Sequence, residues 1–567
     1  MKYLVIVNDI LDLDNVNKNF DELNFEIITK DFTTFLNGKK HGLRYLYEDY
    51  SFEEINETFN EFAFCSFRDE QGKDYTEIDD ISISHIMSRR MIMAANEDLR
   101  NFIVIEKELR KFDKIFIPDN CEQSFKRLSK HFKDKFHFYK NAVKYKSTPN
   151  HNRTVHRPFP ITYFVLKFYR FFQKSISMFL KNKHIVLNDD FYFNVINNKR
   201  MILTQNNINL FKGFCFIENK ELIDTTYKKI KVLNFEFSQI FDNALKVKER
   251  LCLNLPDDFI KYYCELFIEE FEIQKEVLLR TYLIWIDLIT FYQPLSVTFP
   301  GETHYAYILL ASMCKKQKIH TRLMIDGIQT DYNPSNFLYL NEKNPIFNEY
   351  IAYGSAHAKL AIAHGFLKEN VKIAMNPMIS KKYSNKKMDF EAIILTYAPR
   401  INNTSCLADK GYKIIVDIIL ALRSVGIKRI LIKLKPGGGE ENVEIENIKN
   451  FIKIYEIDSN DLLFSSGKLI EKLRSNILVI GQFSTAIIET EIKGAHYFVF
   501  EPEENGLTTY QLEKSCFFTK RHLISRNINE LMWNLKERVK SCDVPILDLL
   551  YGEEIDRIIT RKIYGES

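Results

Sequence analysis

Five residues, Gly481, Gln482, Phe483, Ser484 and Thr485, stand between an apolar run at 476–480 and a helical pattern at 486–493. A Ser-Thr pair opening a helix after a strand presents hydroxyls and free backbone N–H groups with the helix dipole behind them. That chemistry suits an anion, phosphate above all. A second cluster, Lys435-Pro436-Gly437-Gly438-Gly439, follows the apolar run 429–434. Its lysine is a cation, and its glycines let backbone approach a ligand closely. Arg400 follows a third apolar run. A phosphate between these loops would meet a cation, backbone donors and a dipole, while Glu489 and Glu501 would accept hydrogen bonds from a ribose or a base. Glu302, His304, Asp326 and Asp331 follow apolar runs earlier in the chain. Asp326 precedes Gly327, which leaves its carboxylate little steric cover, and such a group can take a proton from an acceptor hydroxyl. Glu302 is the second candidate carboxylate.

Each of these residues also has a plain structural reading. Ser484 caps a helix, the glycines at 437–439 make a turn, Glu489 lies on a surface, and Asp326 caps a turn. His304, His357 and His364 read as packing or capping residues. Asp12-Leu13-Asp14 reads as part of a polar turn. No CxxC or HxxxH spacing occurs, so no metal is predicted.

The elements that must position these loops follow from hydrophobic periodicity. Residues 1–145 alternate strand-like and helix-like stretches, with strands expected at 3–7, 25–28, 114–117 and 136–139, and one or two helices at 83–110. Residues 146–275 are less regular, with short strands at 185–187, 201–203 and 214–217 and helices at 237–253 and 257–272. From 276 the βα rhythm is steady. It comprises a helix at 277–292, a strand at 295–299, a helix at 305–316, and strands at 320–325, 349–353 and 371–375. Residues 378–390 are polar and lysine-rich and read as a linker. A second α/β unit follows, with strands at 392–397, 429–434, 462–465, 476–480 and 496–501 and helices at 410–425, 442–455, 468–474, 486–493 and 527–541. The expected organisation is an N-terminal, acceptor-side Rossmann-like domain over 1–377 that contains a large helical insertion at 146–275. The linker 378–390 and a nucleotide-sugar-binding Rossmann-like domain over 391–567 complete it. The fold class is α/β, with parallel sheets facing a cleft and loops at strand C-termini forming the site.

The 567 residues allow two or three domains. A formal charge of +4 gives no argument for a nucleic-acid partner. Nine cysteines, all scattered singly, fit a reducing compartment. The opening MKYLVIVNDILDLD has a short apolar run and reads as a first strand, with no signal peptide. The best membrane-span window, residues 278–299, contains Arg280, Asp287 and Pro294 and breaks into a helix and a strand. A cytoplasmic protein is therefore expected. Residues 161–184 are aromatic and basic, with Lys167, Arg170, Lys174, Lys181 and Lys183 and no acid. They read as a buried helix or as an interfacial helix on anionic lipid, which would place the protein peripherally on the inner face of the cell membrane.

Residues from about 290 to 510 resemble the GT-B class of bacterial glycosyltransferases. Within it they are most similar to enzymes that move Kdo or sialic-acid-type sugars from CMP donors into capsule or lipopolysaccharide. That class carries a D/E-D/E-G motif, an HP motif and an S-S/T motif. Here Asp326-Gly327 matches the first, Lys435-Pro436 stands where His-Pro would be, and Ser484-Thr485 matches the third. The resemblance implies that Asp326 is the catalytic carboxylate, that Ser484 and Thr485 hold the donor phosphate, and that Lys435 neutralises the leaving phosphate. It implies a nucleotide-sugar donor, an oligosaccharide or glycolipid acceptor, and no cofactor or metal. A UDP-sugar transferase, a CDP-glycerol-type polyol phosphate transferase, a sugar-nucleotide epimerase of the same architecture and a non-enzymatic scaffold remain as alternatives.

Overall fold

The computed structural model describes residues 1–9, 11–20, 24–39, 42–48, 62, 66–68, 74–121, 123–140, 182–187, 200–204, 223–253, 255–301, 304–324, 346–352, 358–359, 361–362, 366–373, 389–396, 408–435, 441–482, 484, 486–502 and 524–538. Short runs rich in Ile, Val, Leu and Phe give inner strands buried on both faces, such as Ser296–Phe299, Ile430–Lys433 and Leu478–Gly481, as a helix-covered parallel sheet requires.

The first unit contains β1 (Tyr3–Ile6), α1 (Leu11–Phe20), β2 (Phe25–Thr29), α2 (Phe32–Gly38), β3 (Arg44–Tyr45), β4 (Glu77–Ile78), β5 (Ile81–Ser82), α3 (Ile83–Leu109), β6 (Lys114–Pro118), α4 (Gln123–His131) and β7 (Phe136–Tyr139). Its sheet has the order β3-β2-β1-β6-β7, all parallel. The hairpin β4–β5 turns through Asp79 and Asp80, both at positive φ. Asp12 lies in the first turn of α1, not in a polar turn. Asp9 accepts from the Leu11 N–H at 3.0 Å and starts the helix ahead of it, and Asp12 is fully buried.

The second unit contains β8 (Asn182–Val186), β9 (Arg200–Thr204), α5 (Thr225–Val232), α6 (Phe237–Arg250), α7 (Asp257–Tyr292), β10 (Ser296–Phe299), α8 (Tyr305–Lys316), β11 (His320–Leu323), β12 (Glu349–Ala352) and β13 (Val371–Ile373). The sheet order is β13-β12-β11-β10-β8-β9, again parallel. Residues 1–377, read from the sequence as one Rossmann-like domain, thus carry two separate parallel sheets. The stretch 146–275 is not a helical insertion alone, because β8 and β9 form one side of the second sheet. The helices expected at 257–272 and 277–292 are one, α7. No Gly or Pro interrupts residues 257–292, and the polar stretch between them lies on the exposed side of a continuous helix.

The third unit contains β14 (Ala392–Leu395), α9 (Ala408–Ser424), β15 (Ile430–Lys433), α10 (Glu441–Ile454), β16 (Leu462–Ser465), β17 (Leu478–Gly481), α11 (Ala486–Ile492), β18 (His496–Val499) and α12 (Ile528–Lys536). Its sheet runs β16-β15-β14-β17-β18, entirely parallel. The α/β class with parallel sheets expected from the sequence is the observed one. The helix expected at 468–474 is a single 3-10 turn, Leu469–Glu471.

The first unit touches both others. Phe102 packs on Phe259 of α7, and Arg127 donates to Asp98 at 2.8 Å and to the Tyr262 hydroxyl at 3.3 Å. On the other side Phe32, at the start of α2, stacks on Tyr412 of α9 with ring centroids 5.1 Å apart and planes 14° from parallel. It also meets Phe451 of α10 at 5.8 Å. Asn447 Nδ2 donates to Thr33 Oγ1 across the same contact at 2.8 Å.

Across the second sheet runs a buried polar network. Glu349 accepts from Arg322 Nε at 2.5 Å, and His320 Nε2 lies 3.2 Å from the same carboxylate oxygen. Lys372 Nζ is 2.5 Å from the other oxygen. Arg322 also reaches Ser296, which in turn meets His184 Nδ1 at 2.7 Å.

Candidate functional site

In the third unit β14 is central, and the chain order reverses between β14 and β17. Loops at the C-terminal ends of strands part at such a switch point and leave a crevice. Ser484 follows β17 on one side of it. Lys435 follows β15 on the other side, two strands or roughly 10 Å away at the usual spacing.

The β17 side is tightly built. At Gly481 an added Cβ would lie 2.9 Å from Leu395 Cβ of β14 and 2.9 Å from the Tyr497 hydroxyl of β18. Only glycine lets the three strands approach that closely. The Tyr497 hydroxyl donates to the Gln482 carbonyl, and Gln482 Nε2 donates to Glu501 at 3.2 Å. Glu501 is fully buried, so it fixes the loop rather than reading a ribose or a base. Gln482 likewise braces the turn through both its carbonyl and its amide.

Ser484 Oγ accepts from the Ala486 N–H at 3.0 Å, and its carbonyl accepts from the Ile487 N–H at 3.1 Å. It caps α11, and a hydroxyl used as an acceptor still has its own hydrogen to donate to an anion.

The β15 side holds a residue that the sequence reading passed over. Lys433, the last residue of β15, is buried at 5 % exposure. Its Nζ donates to the Leu434 carbonyl at 2.6 Å and lies 3.4 Å from the Ser466 carbonyl beyond β16. Burial pushes its pKa down, and Glu489 and Glu441 push it back up. Glu489, on α11, is half-buried and accepts from the Ile470 N–H. Burial raises its pKa, and Lys433 opposes the rise. The signal in the sequence was a lysine closing an otherwise apolar strand, Ile430-Leu431-Ile432-Lys433. Ser466 Oγ donates to Glu441 at 2.8 Å and joins the β16 loop to the start of α10. Lys435 itself is exposed on the loop beyond.

The structure therefore brings Lys435, Gln482, Ser484 and Glu489 to one edge of one sheet. Arg400, Pro436, Gly437, Thr485, Glu302 and Asp326 lie outside the described residues, as do Asp331, His357 and His364 and the segment 161–181. The strands that lead to Glu302 and Asp326, β10 and β11, are neighbours and parallel in the second sheet. His304 caps α8, with Nδ1 accepting from the Ala306 N–H at 3.3 Å, and packs on Tyr305 and Tyr307. It is a capping residue, as its plain reading had it. Among the described residues no group of three or more His, Cys, Asp or Glu could hold a metal ion, and no helix is long and apolar enough to cross a membrane.

No protein-family model matches the chain, and no curated protein does. Solved structures similar to it in part include two epimerases. The UDP-GlcNAc 2-epimerase from Neisseria meningitidis bound to UDP-GlcNAc aligns with a TM-score of 0.34 at 11 % identity, over 68 % of this chain and 99 % of that one. The UDP-GlcNAc 2-epimerase from Methanocaldococcus jannaschii aligns with a TM-score of 0.35 at 14 % identity, over 51 % of this chain and 82 % of that one. At these scores and identities the likeness bears on neither substrate nor reaction.

Proposed function

We propose that the chain is an enzyme acting on a nucleotide sugar, with the nucleotide held at the β14/β17 switch point of the third unit. The observation that carries this reading is the joint placement of Ser484 and Lys435 on either side of that crevice, over a sheet whose order produces it. In this reading the Ser484 hydroxyl and the N–H groups at the start of α11 bind the phosphates, with Thr485, Arg400 and the loop Lys435-Pro436-Gly437 completing the cradle. Glu489 accepts from the ribose hydroxyls.

The reaction we favour is glycosyl transfer, with Asp326 as base toward an oligosaccharide or glycolipid acceptor and Glu302 beside it. A CMP-linked Kdo or sialic-acid-like donor follows from the motif resemblance alone. A UDP-sugar or CDP-glycerol donor suits the same crevice. Sugar-nucleotide epimerisation is the second reading, because it uses the same nucleotide cradle and needs no acceptor. Peripheral contact of residues 161–181 with anionic lipid belongs to the transfer reading only; Asn182–His184, the end of the stretch read as a helix, lie in β8 of the second sheet.

Thermal-shift measurements with CMP, CDP, UDP, GDP and UDP-GlcNAc on the wild type and on Ser484→Ala test the site. A ligand that binds only the folded state, at about 100 times its Kd, adds about 2.7 kcal/mol. Stabilisation by one nucleotide series, reduced in Ser484→Ala, is the expected result. No response to any nucleotide would overturn the assignment. Product analysis then separates the reactions, since epimerisation converts the free sugar nucleotide and transfer requires the acceptor.

A further inference from the structure

A run of buried hydrogen bonds ties the stretch 524–536 to the turn that carries Ser484. α12 packs on α9 and on β18, with Leu531 and Leu535 in the core. Asn534 Nδ2 of that helix donates to Ser525 Oγ at 2.9 Å, and both residues are buried. Ser525 lies beside the end of β18 as a further parallel rung of the sheet. Its N–H donates to the Val499 carbonyl at 3.1 Å, and its carbonyl accepts from the Glu501 N–H at 3.0 Å. With its main chain held there, Glu501 accepts from Gln482 Nε2 through Oε2 at 3.2 Å.

Three bonds fix the chain as it leaves β17. The Gly481 carbonyl accepts from the Phe500 N–H at 2.9 Å, the Gln482 carbonyl accepts from the Tyr497 hydroxyl, and the Gln482 amide donates to Glu501. Ser484 caps α11 two residues later. Glu501 is fully buried, and a buried acceptor holds its donor because losing the bond costs more than the bond itself is worth. We propose that Glu501, Ser525 and Asn534 are positioning residues of the nucleotide site. They act through Gln482, setting where the Ser484 hydroxyl and the N–H groups at the start of α11 stand, and do not touch the ligand. The inference rests on the nucleotide reading above and extends the frame of that site to Ser525, 41 positions beyond Ser484, and to α12.

The test compares wild type, E501Q, E501A, N534A and L535A as full chains. Calorimetry measures binding of UDP and of CMP well below each melting temperature. Amide exchange is followed at Ala486 and Ile487, whose N–H groups bond to Ser484. Leu535 sits on the same helix and is buried, but it has no part in the hydrogen-bonded run, so L535A reports what lost stability alone does. E501A takes the acceptor from the Gln482 amide and should weaken binding of the nucleotide that the wild type takes by about tenfold or more. E501Q keeps a side-chain oxygen for Gln482 and should stay within about threefold of wild type. N534A should lose about threefold or more, and the Ala486 and Ile487 amides should exchange faster in both E501A and N534A. L535A should lower the melting temperature at least as far as N534A while binding and exchange stay as in the wild type.

If E501A does not fold, the contrast between N534A and L535A decides. E501A and N534A proteins that bind and exchange like wild type would overturn the inference and leave the nucleotide site standing. An L535A protein whose losses in binding and exchange match those of N534A would do the same, because stability alone would then account for both. Absence of nucleotide binding by the wild type would overturn the site and the inference together.

Discussion

Replacing Glu349 with Gln should destabilise the second unit by about 3–5 kcal/mol near neutral pH. The Glu349 side chain is 4 % exposed and meets Arg322 at 2.5 Å, Lys372 at 2.5 Å and His320 at 3.2 Å. Burial alone would push its pKa up. The hydrogen bonds from His320 and Lys372 and the Arg322 and Lys372 charges outweigh burial and hold the pKa at about 2, down from 4.5. At about 1.36 kcal/mol per unit, that depression corresponds to roughly 3 kcal/mol of stability. Removing the carboxylate also takes the counter-charge from the buried Arg322 guanidinium, which keeps its bond to Ser296 but loses an anionic acceptor. The folded-state pKa lies below the unfolded one, so the contribution is fully present above about pH 4.5 and fades as pH falls toward about 2. The assay is urea unfolding followed by the fluorescence of Trp285, which is buried in α7, with Trp533 replaced by Phe to silence the third unit. The gap between E349Q and the parent should narrow from about pH 5 to about pH 3. A gap under about 1 kcal/mol at pH 7, or one that does not change over that interval, would refute the reasoning.

Other substitutions probe the frame of the site. Gly481→Ala should cost about 1–3 kcal/mol, because its Cβ meets Leu395 and Tyr497, and it should weaken nucleotide binding by moving the β17 turn. Calorimetric unfolding and a titration check both effects, and an unchanged protein would mean that the strands can part freely. Phe32→Ala should cost about 3–5 kcal/mol at the junction of the first and third units, seen as faster amide exchange in α9 and α10. Unchanged protection there would show that the stack holds nothing. Tyr497→Phe removes a donor to the Gln482 carbonyl and should cost about 1–3 kcal/mol, read as a lower melting temperature. A neutral result would mean that water replaces the hydroxyl.

The third unit was the most legible from sequence, and the reason is physical. Its strands are short apolar runs bounded by charge or glycine, and a strand buried on both faces must look like that. The stretch 392–397 accordingly contains β14, and 462–465 contains β16, an edge strand on which Leu463 is exposed. Periodicity cannot say which strands share a sheet. The βα rhythm of residues 1–139 and that of 182–373 therefore read as one domain, although pairing keeps them in separate sheets. Helices expected at 257–272 and 277–292 are the single α7. The absence of Gly and Pro was the better guide to a helix whose outer side faces solvent. Within the candidate site, Ser484 and Lys435 were recognisable from residue type and neighbours. Lys433 was not, because a lysine at the end of a strand looks like any solvated end, and only the fold buries it and brings the Ser466 carbonyl beyond β16 to its ammonium. Glu501 misled for the opposite reason. A carboxylate after a strand suggests a ligand contact, but here its partner is Gln482 of the adjoining turn.

The contact between α2 and the third unit also has a consequence for synthesis. Thr33 and Asn447 are 414 positions apart in the chain. At ribosomal rates of ~5–20 residues per second, the first unit waits roughly 20–80 s before the surface that covers Phe32 exists. During that interval the aromatic start of α2 has only Phe35 and Tyr45 of its own unit beside it, and the face that later meets Tyr412 and Phe451 is open to the cell. Translation speed and chaperone supply thus bear on the yield of folded protein, and coexpressing the two halves as separate chains would make that dependence measurable.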